Sequence, residues 1–273
     1  MIVNTRRLFT TLLSRLQISA VCDIGSMNGA DALAFRAAAP RSSIYALEPN
    51  PHNFRRMAAD RLLHERNICV EPLAATNYDG HGDFFLVEAD YSQTDAHCGM
   101  SSLYLRSGPY APASVVKVRT TRLDTYLADK RTPQARFALW IDTEGKAYEV
   151  IEGAAGVIDH VYLLHVEVET KPLIGSDQKL YPEVTALAQR LGFAELATDQ
   201  PRDREQFNVL YVRRDLPAGV RLALQARLLR AGVRRLTVKI FVRLCPACAR
   251  RYQAMRLRQM SRSLPPSRYK NGG

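Results

Sequence analysis

The stretch VCDIGSMNGADALAF (residues 21–35) decides how this chain is read. An apolar run leads into Asp23, Gly25 and Gly29, and a helical pattern then continues to Ala39, where Pro40 stops it. Glycine permits positive φ in a tight strand-to-helix turn and lets a ligand approach the backbone closely. The next apolar run, SIYALE (43–48), ends on Glu48, 25 residues after Asp23. An acid at that strand end can accept hydrogen bonds from both hydroxyls of a ribose. Asn50 follows, and Pro51 can open a helix where its missing N–H costs nothing. These pieces have the order and spacing of a dinucleotide- or nucleoside-binding strand–helix–strand unit.

Outward from this unit, apolar runs and helical patterns alternate. ICVEPLAAT (68–76), GDFFLVEA (82–89), SVVKVRTT (114–121), RFALWID (136–142) and HVYLLHVEVE (160–169) read as strands. Helices are expected over 6–18, near 146–155 and over 180–191, the last ended by Gly192. FAELAT (193–198) and NVLYVRR (208–214) form a closing antiparallel pair. The pattern predicts an α/β fold with a Rossmann-like, mostly parallel sheet over residues 1–214, followed by a basic extension over 215–273.

The glycine spacing separates two cofactor classes. Dinucleotide enzymes use G-x-G-x-x-G because a pyrophosphate rests on the helix N-terminus. Here the pattern is D-x-G-x-x-x-G, without the central glycine. S-adenosylmethionine carries no phosphate, and Asp23 would face its cationic sulfonium and amino groups. An NAD-linked dehydrogenase is therefore disfavoured.

Several stretches together resemble the FkbM-type methyltransferases: VCDIGSMNGADALAF, IYALEPNPHNFRRM, VEPLAATNYDG, MSSLYL, VRTTRLDTYL, FALWIDTEGKAYEVIEGA and LLHVEVET. They occur in family order over residues 20–214. The resemblance implies a class I methyltransferase fold, S-adenosylmethionine as methyl donor and a hydroxyl as acceptor. Carried over by position, Asp23, Gly25 and Gly29 would line the methionine side, Glu48 the ribose and Asn50 the neighbouring loop. Cys22, Met27 and Asn28 depart from the usual pattern, and Lys146 stands where the family often has a second acid.

Methyl transfer to a hydroxyl needs an aligned oxygen and a group that removes its proton. Asp142 ends the WID strand, and Glu144 follows it. His165, Glu167 and Glu169 alternate along HVEVE, so they share one strand face, with Leu164, Val166 and Val168 on the other. Asp142 with Glu167 reads either as a base pair or as two oxygen ligands for a divalent cation. The plainer reading makes His165 a satisfied core histidine and pairs the glutamates with Lys171, Lys179 or an arginine. The polar stretch 90–113, with Ser101, Ser102, Tyr104 and Tyr110, suits an acceptor-binding lid.

Net charge is +11 over 273 residues, but 14 of the 38 basic residues and one acid fall after Arg214. The body of the protein is thus close to neutral. Leu222, Leu229, Val233, Leu236, Ile240 and Leu244 fall on one helical arc over 219–244, with arginines around them. That helix could dock on its own protein or another subunit, on an anionic membrane or on an acidic partner. Nucleic acid is disfavoured for want of a recognition motif or interleaved aromatics. Cys245 and Cys248 lack the further ligands of a zinc site. Five scattered cysteines and the absence of a long apolar run suggest a cytoplasmic protein, peripheral to the membrane if the tail binds lipid. Two functional classes stay open: a methyltransferase acting on a small-molecule or carbohydrate acceptor, and a non-catalytic module recruited by its tail.

Overall fold

The computed structural model describes residues 1–87, 99–106 and 112–216. The chain divides into two compact units, Met1–Pro217 and Ala218–Gly273. The expected amphipathic helix, the C-x-x-C and the terminal stretch of the second unit lie outside the described residues, as does Tyr110.

Seven strands form the main sheet: β1 (Ala20–Ile24), β2 (Ser43–Leu47), β3 (Ile68–Glu71), β7 (Phe137–Ile141), β8 (Val161–Glu169), β9 (Phe193–Thr198) and β10 (Gln206–Arg213). Their order is β3-β2-β1-β7-β8-β10-β9. All neighbours are parallel except β10, which runs antiparallel to both β8 and β9. The sheet reverses its winding between β1 and β7, and ligands of open α/β sheets sit above such a switch point.

One expected strand is two. Residues 68–76 divide at Pro72, which has no N–H for a ladder. β3 stays in the main sheet. Beyond the proline, β4 (Leu73–Ala75) joins β5 (Gly80–Leu86) and β6 (Ser114–Thr121) in a separate three-stranded sheet of order β4-β6-β5. Its own small core is Ala74, Phe84, Leu86 and Val118.

Helices cover both faces. On one face, the helices Ala147–Gly153 and Tyr181–Arg190 bury Val150, Ile151, Val184 and Ala188 against Leu139, Ile141, Leu164 and Val166. On the other lie α1 (Thr5–Arg15) and α2 (Ala30–Ala38). Asn4 caps α1 by accepting the Arg7 amide at 2.7 Å. The helix inserts Phe9 between Phe35 and Trp140, with ring centroids 5.2 and 5.3 Å away. Trp140 stacks on His165 across the β7–β8 ladder, with the ring planes nearly parallel and 3.5 Å between centroids. The imidazole Nε2 meets Thr5 Oγ1 at 2.9 Å. Burial, with the Arg6 charge nearby, lowers the His165 pKa to about 3, so the ring is neutral.

This packing generates a test. Thr5→Val removes the partner of a buried ring nitrogen and should destabilise the fold by about 1–3 kcal/mol. Urea denaturation measures the loss, while affinity for adenosylhomocysteine should be unchanged.

Candidate functional site

A cleft of about 520 Å³, open to solvent, lies over the C-terminal ends of β1, β2 and β7. Its lower walls are Ile24, Gly25, Met27, Glu48, Pro49, Asn50, Asp142, Thr143, Glu144 and Lys146. Leu73, Ala74, Ala75 and Phe84 of the small sheet, with Gly99, Ser101 and Leu103, close it from above.

The glycine turn is built by close approach. Gly25 has φ +82, and a Cβ there would lie 1.8 Å from the Asp142 carbonyl oxygen. No side chain fits where β1 and β7 end side by side. Gly29, at φ +77, precedes α2 and packs against Leu63. It stands behind the cleft wall.

The turn leaves no amide for a phosphate. Gly25 and Ser26 donate to the Leu47 carbonyl, Asn28 and Gly29 to that of Ser26. Met27 N–H donates to Glu48 Oε2 at 2.6 Å, and Ala30 N–H to Asn28 Oδ1 at 3.0 Å. Asp23 is buried beneath the turn, where its carboxylate takes the Ser26 hydroxyl at 2.6 Å and the Ala32 amide. Burial pushes its pKa up to about 8. The structure therefore places Asp23 as a brace of the turn, outside the cleft lining, where the sequence reading had it facing the ligand.

Glu48 does line the cleft. Its Oε1 accepts the Asn50 amide at 2.8 Å, and burial raises its pKa to about 7 against these hydrogen bonds. Asn50 caps α3 (Pro51–Ala58) through Oδ1, accepting the His52 amide at 3.0 Å. Its Nδ2 is buried and has no hydrogen-bond partner among the described residues. Glu48 also accepts from the Asn53 side chain, so its remaining lone-pair site and the spare donor of Asn50 suit hydroxyl and ring-nitrogen groups. A phosphate-free nucleoside such as that of S-adenosylmethionine fits this lining; a pyrophosphate does not.

The acids on β7 and β8 separate into distinct settings. The β7–β8 register pairs Ile141 with Val166, which brings Asp142 opposite Glu167. Their carboxyl groups share a hydrogen bond. Desolvation raises both pKa values, that of Glu167 well above its usual range, so Glu167 carries the proton and donates to Asp142. Neither lysine named for the plainer reading reaches them: Lys171 pairs with Glu205 and Lys179 with Glu183. Glu169 instead accepts the Gln178 amide at 2.5 Å. His165 lies deeper under α1, away from the cleft lining. Among the described residues, no group of three or more His, Cys, Asp or Glu side chains is arranged to hold a metal ion.

Glu144 occupies a left-handed backbone position, φ +44. Two contacts from the 99–106 segment hold it. Arg106, nearly buried, forms an ion pair with its carboxylate, and Ser102 Oγ donates to its carbonyl at 2.7 Å. Burial still pushes its pKa up to about 7. Sequence spacing gave no sign of Arg106, because its partner lies 38 residues away. Thr143 and Lys146 were also missed as lining residues. Both belong to the loop after a strand that points at the switch point, the signal that could have found them.

No curated protein matches the sequence. In three dimensions the chain is similar to EvdMO1, at 12% identity and a TM-score of 0.40, covering 77% of this chain and 41% of that one. It is similar to the N-terminal domain of EvdMO1 with SAH bound, at 14% identity and a TM-score of 0.40, covering 77% and 81%. It is also similar to magnesium protoporphyrin IX methyltransferase (ChlM) from Synechocystis PCC 6803 with bound SAH, at 11% identity and a TM-score of 0.39, covering 77% and 83%. The chain thus spans less than half the length of EvdMO1. In sequence, residues 23–194 match the methyltransferase FkbM domain, a match that covers more than half of the protein. With that match joined to a phosphate-free nucleoside cleft at the sheet's switch point, the chain belongs to the FkbM family of S-adenosylmethionine-dependent methyltransferases.

Proposed function

We propose that the protein methylates a hydroxyl on a sugar, a glycan precursor or a polyketide-like small molecule, with Asp142 as the base. The observation that carries this reading is the Asp142–Glu167 pair at the C-terminal edge of the sheet, with Asp142 on the cleft wall. S-adenosylmethionine supplies an electrophilic methyl group on a cationic sulfur that leaves as a neutral sulfide.

The chain's own residues then have two tasks, orientation and proton removal. Glu48 and Asn50 would hold the ribose of S-adenosylmethionine, and Asp142 lies on the same cleft wall. Asp142 accepts the proton of the acceptor hydroxyl as its oxygen takes the methyl group. Glu167, already protonated, steadies Asp142 through their hydrogen bond and keeps the pair at a single negative charge before transfer. Glu144, locked by Arg106 and Ser102, shapes the wall beside them. His165 has no part in this scheme, since its ring is neutral and enclosed between Trp140 and Thr5.

Asp142→Asn should abolish methyl transfer while adenosylhomocysteine still binds with near-native affinity, as read by isothermal titration. Transfer at the wild-type rate to the same acceptor would remove Asp142 from the base role. Glu48 gives a second test. With its pKa raised to about 7, it is partly protonated near neutral pH. Ribose hydroxyls donate to the ionised form, so binding should drive the proton off. Adenosylhomocysteine affinity is therefore expected to weaken as pH falls through about 7. Titration heats in buffers of different ionisation enthalpy should reveal proton release. Heats independent of buffer, with affinity flat from mildly acidic to mildly basic pH, would take Glu48 off the ribose.

A further inference from the structure

Beside the Asp142 wall, a second set of polar groups has no role in the scheme above. Lys146 lines the cleft, and its Nζ lies 3.0 Å from Glu149 Oε1 and 3.7 Å from the centre of the Tyr104 ring. The Tyr104 hydroxyl donates to the same Glu149 oxygen at 2.7 Å. Tyr104 is fixed in place by two glycines: a Cβ on Gly175 would come within 2.8 Å of its ring, and one on Gly145 within 3.3 Å. The other Glu149 oxygen, Oε2, is buried without a hydrogen-bond partner among the described residues. So is Thr143 Oγ1, on the cleft wall next to Asp142.

We propose that Thr143 and Lys146, with the lysine charge balanced by Glu149, form an acceptor subsite that takes neutral, hydroxyl-rich molecules and rejects those bearing phosphate or carboxylate. The inference rests on the hydroxyl-methylation reading and names the substrate class of that site. A hydroxyl is donor and acceptor at once, so a polyol can pair with Thr143 Oγ1 and accept from Lys146. An anion only accepts. It would meet a lysine whose charge Glu149 already balances, and would face that carboxylate in a poorly solvated setting.

Charge balance at this end of the cleft agrees. Among the described residues, the two cations here are each held by an acid, Lys146 by Glu149 and Arg106 by Glu144. Neither is left free to meet an anionic acceptor.

The test uses the full chain and S-adenosylmethionine labelled on the methyl group. A small-molecule extract of the cells that carry the gene is separated by anion exchange into neutral and anionic pools. Label should enter the neutral pool. Glu149→Gln keeps the side-chain shape and frees the Lys146 charge, so the ratio of neutral to anionic labelling should fall by at least about tenfold. Adenosylhomocysteine affinity, measured alongside, should match the wild type and shows that the variant is folded. Label in the anionic pool with the wild-type protein would overturn the subsite, as would a Glu149→Gln ratio equal to the wild type. If neither pool is labelled while adenosylhomocysteine binds, the hydroxyl-methylation reading itself falls, and this inference with it.

Discussion

The site depends on one close approach, the contact between Gly25 and the main chain of Asp142. Strands β1 and β7 end side by side at the sheet's switch point, and the chain must turn there with no room for a Cβ. Once Gly25 makes that turn, its amide and that of Ser26 extend the ladder to Leu47, which carries Met27 over the end of β2. There the Met27 amide meets Glu48. The same contact fixes the position of Asp142, whose amide donates to the Ile24 carbonyl. The Glu48 and Asp142 sides of the cleft are therefore set by one backbone crossing. A side chain at residue 25 disturbs both at once.

Much of this was legible in the sequence because it depends on local pattern. Strand β9 runs over 193–198 and pairs antiparallel with β10 as expected, and α3 starts at Pro51 because Asn50 caps it and proline suits the first turn. Glu48 reaches the cleft because strand-end position is a property of spacing. The break at Pro72 was readable in principle, yet an apolar run on both sides masked a change of sheet. Asp23 misled for a different reason. Side-chain direction alternates along β1, so Asp23 points to the α2 face while Cys22 and Ile24 face the main core. Its charge suggested a ligand, whereas its parity made it a brace. Arg106, Ser102 and Tyr104 could not be placed from sequence, since their partners lie 38 to 45 residues away and meet only through tertiary packing.

His165, Glu167 and Glu169 show how one strand face can hold three chemistries. Their spacing is identical, and the sequence could only treat them alike. Depth along β8 separates them. His165 sits under α1 and becomes a neutral aromatic plate, Glu167 reaches the strand end where Asp142 meets it, and Glu169 runs on to Gln178. The helix that covers a strand therefore decides the role of its polar residues as much as the residues do.

The acids of the cleft share one electrical property. Glu48, Asp142, Glu144 and Glu167 all hold protons more tightly than free carboxyls, and desolvation is the first cause in each case. Clustered carboxylates with few cations would repel one another, and partial protonation relieves that cost. A positively charged ligand relieves it in another way, by supplying the missing counter-charge. A dinucleotide fold faces the opposite problem, and leaves its turn amides free to meet phosphate. Here those amides are already bonded within the chain, four to backbone carbonyls, one to Asn28 Oδ1 and one to Glu48. With Met27 at the central-glycine position and its amide taken by the Glu48 carboxylate, the turn offers an anion none of those amides.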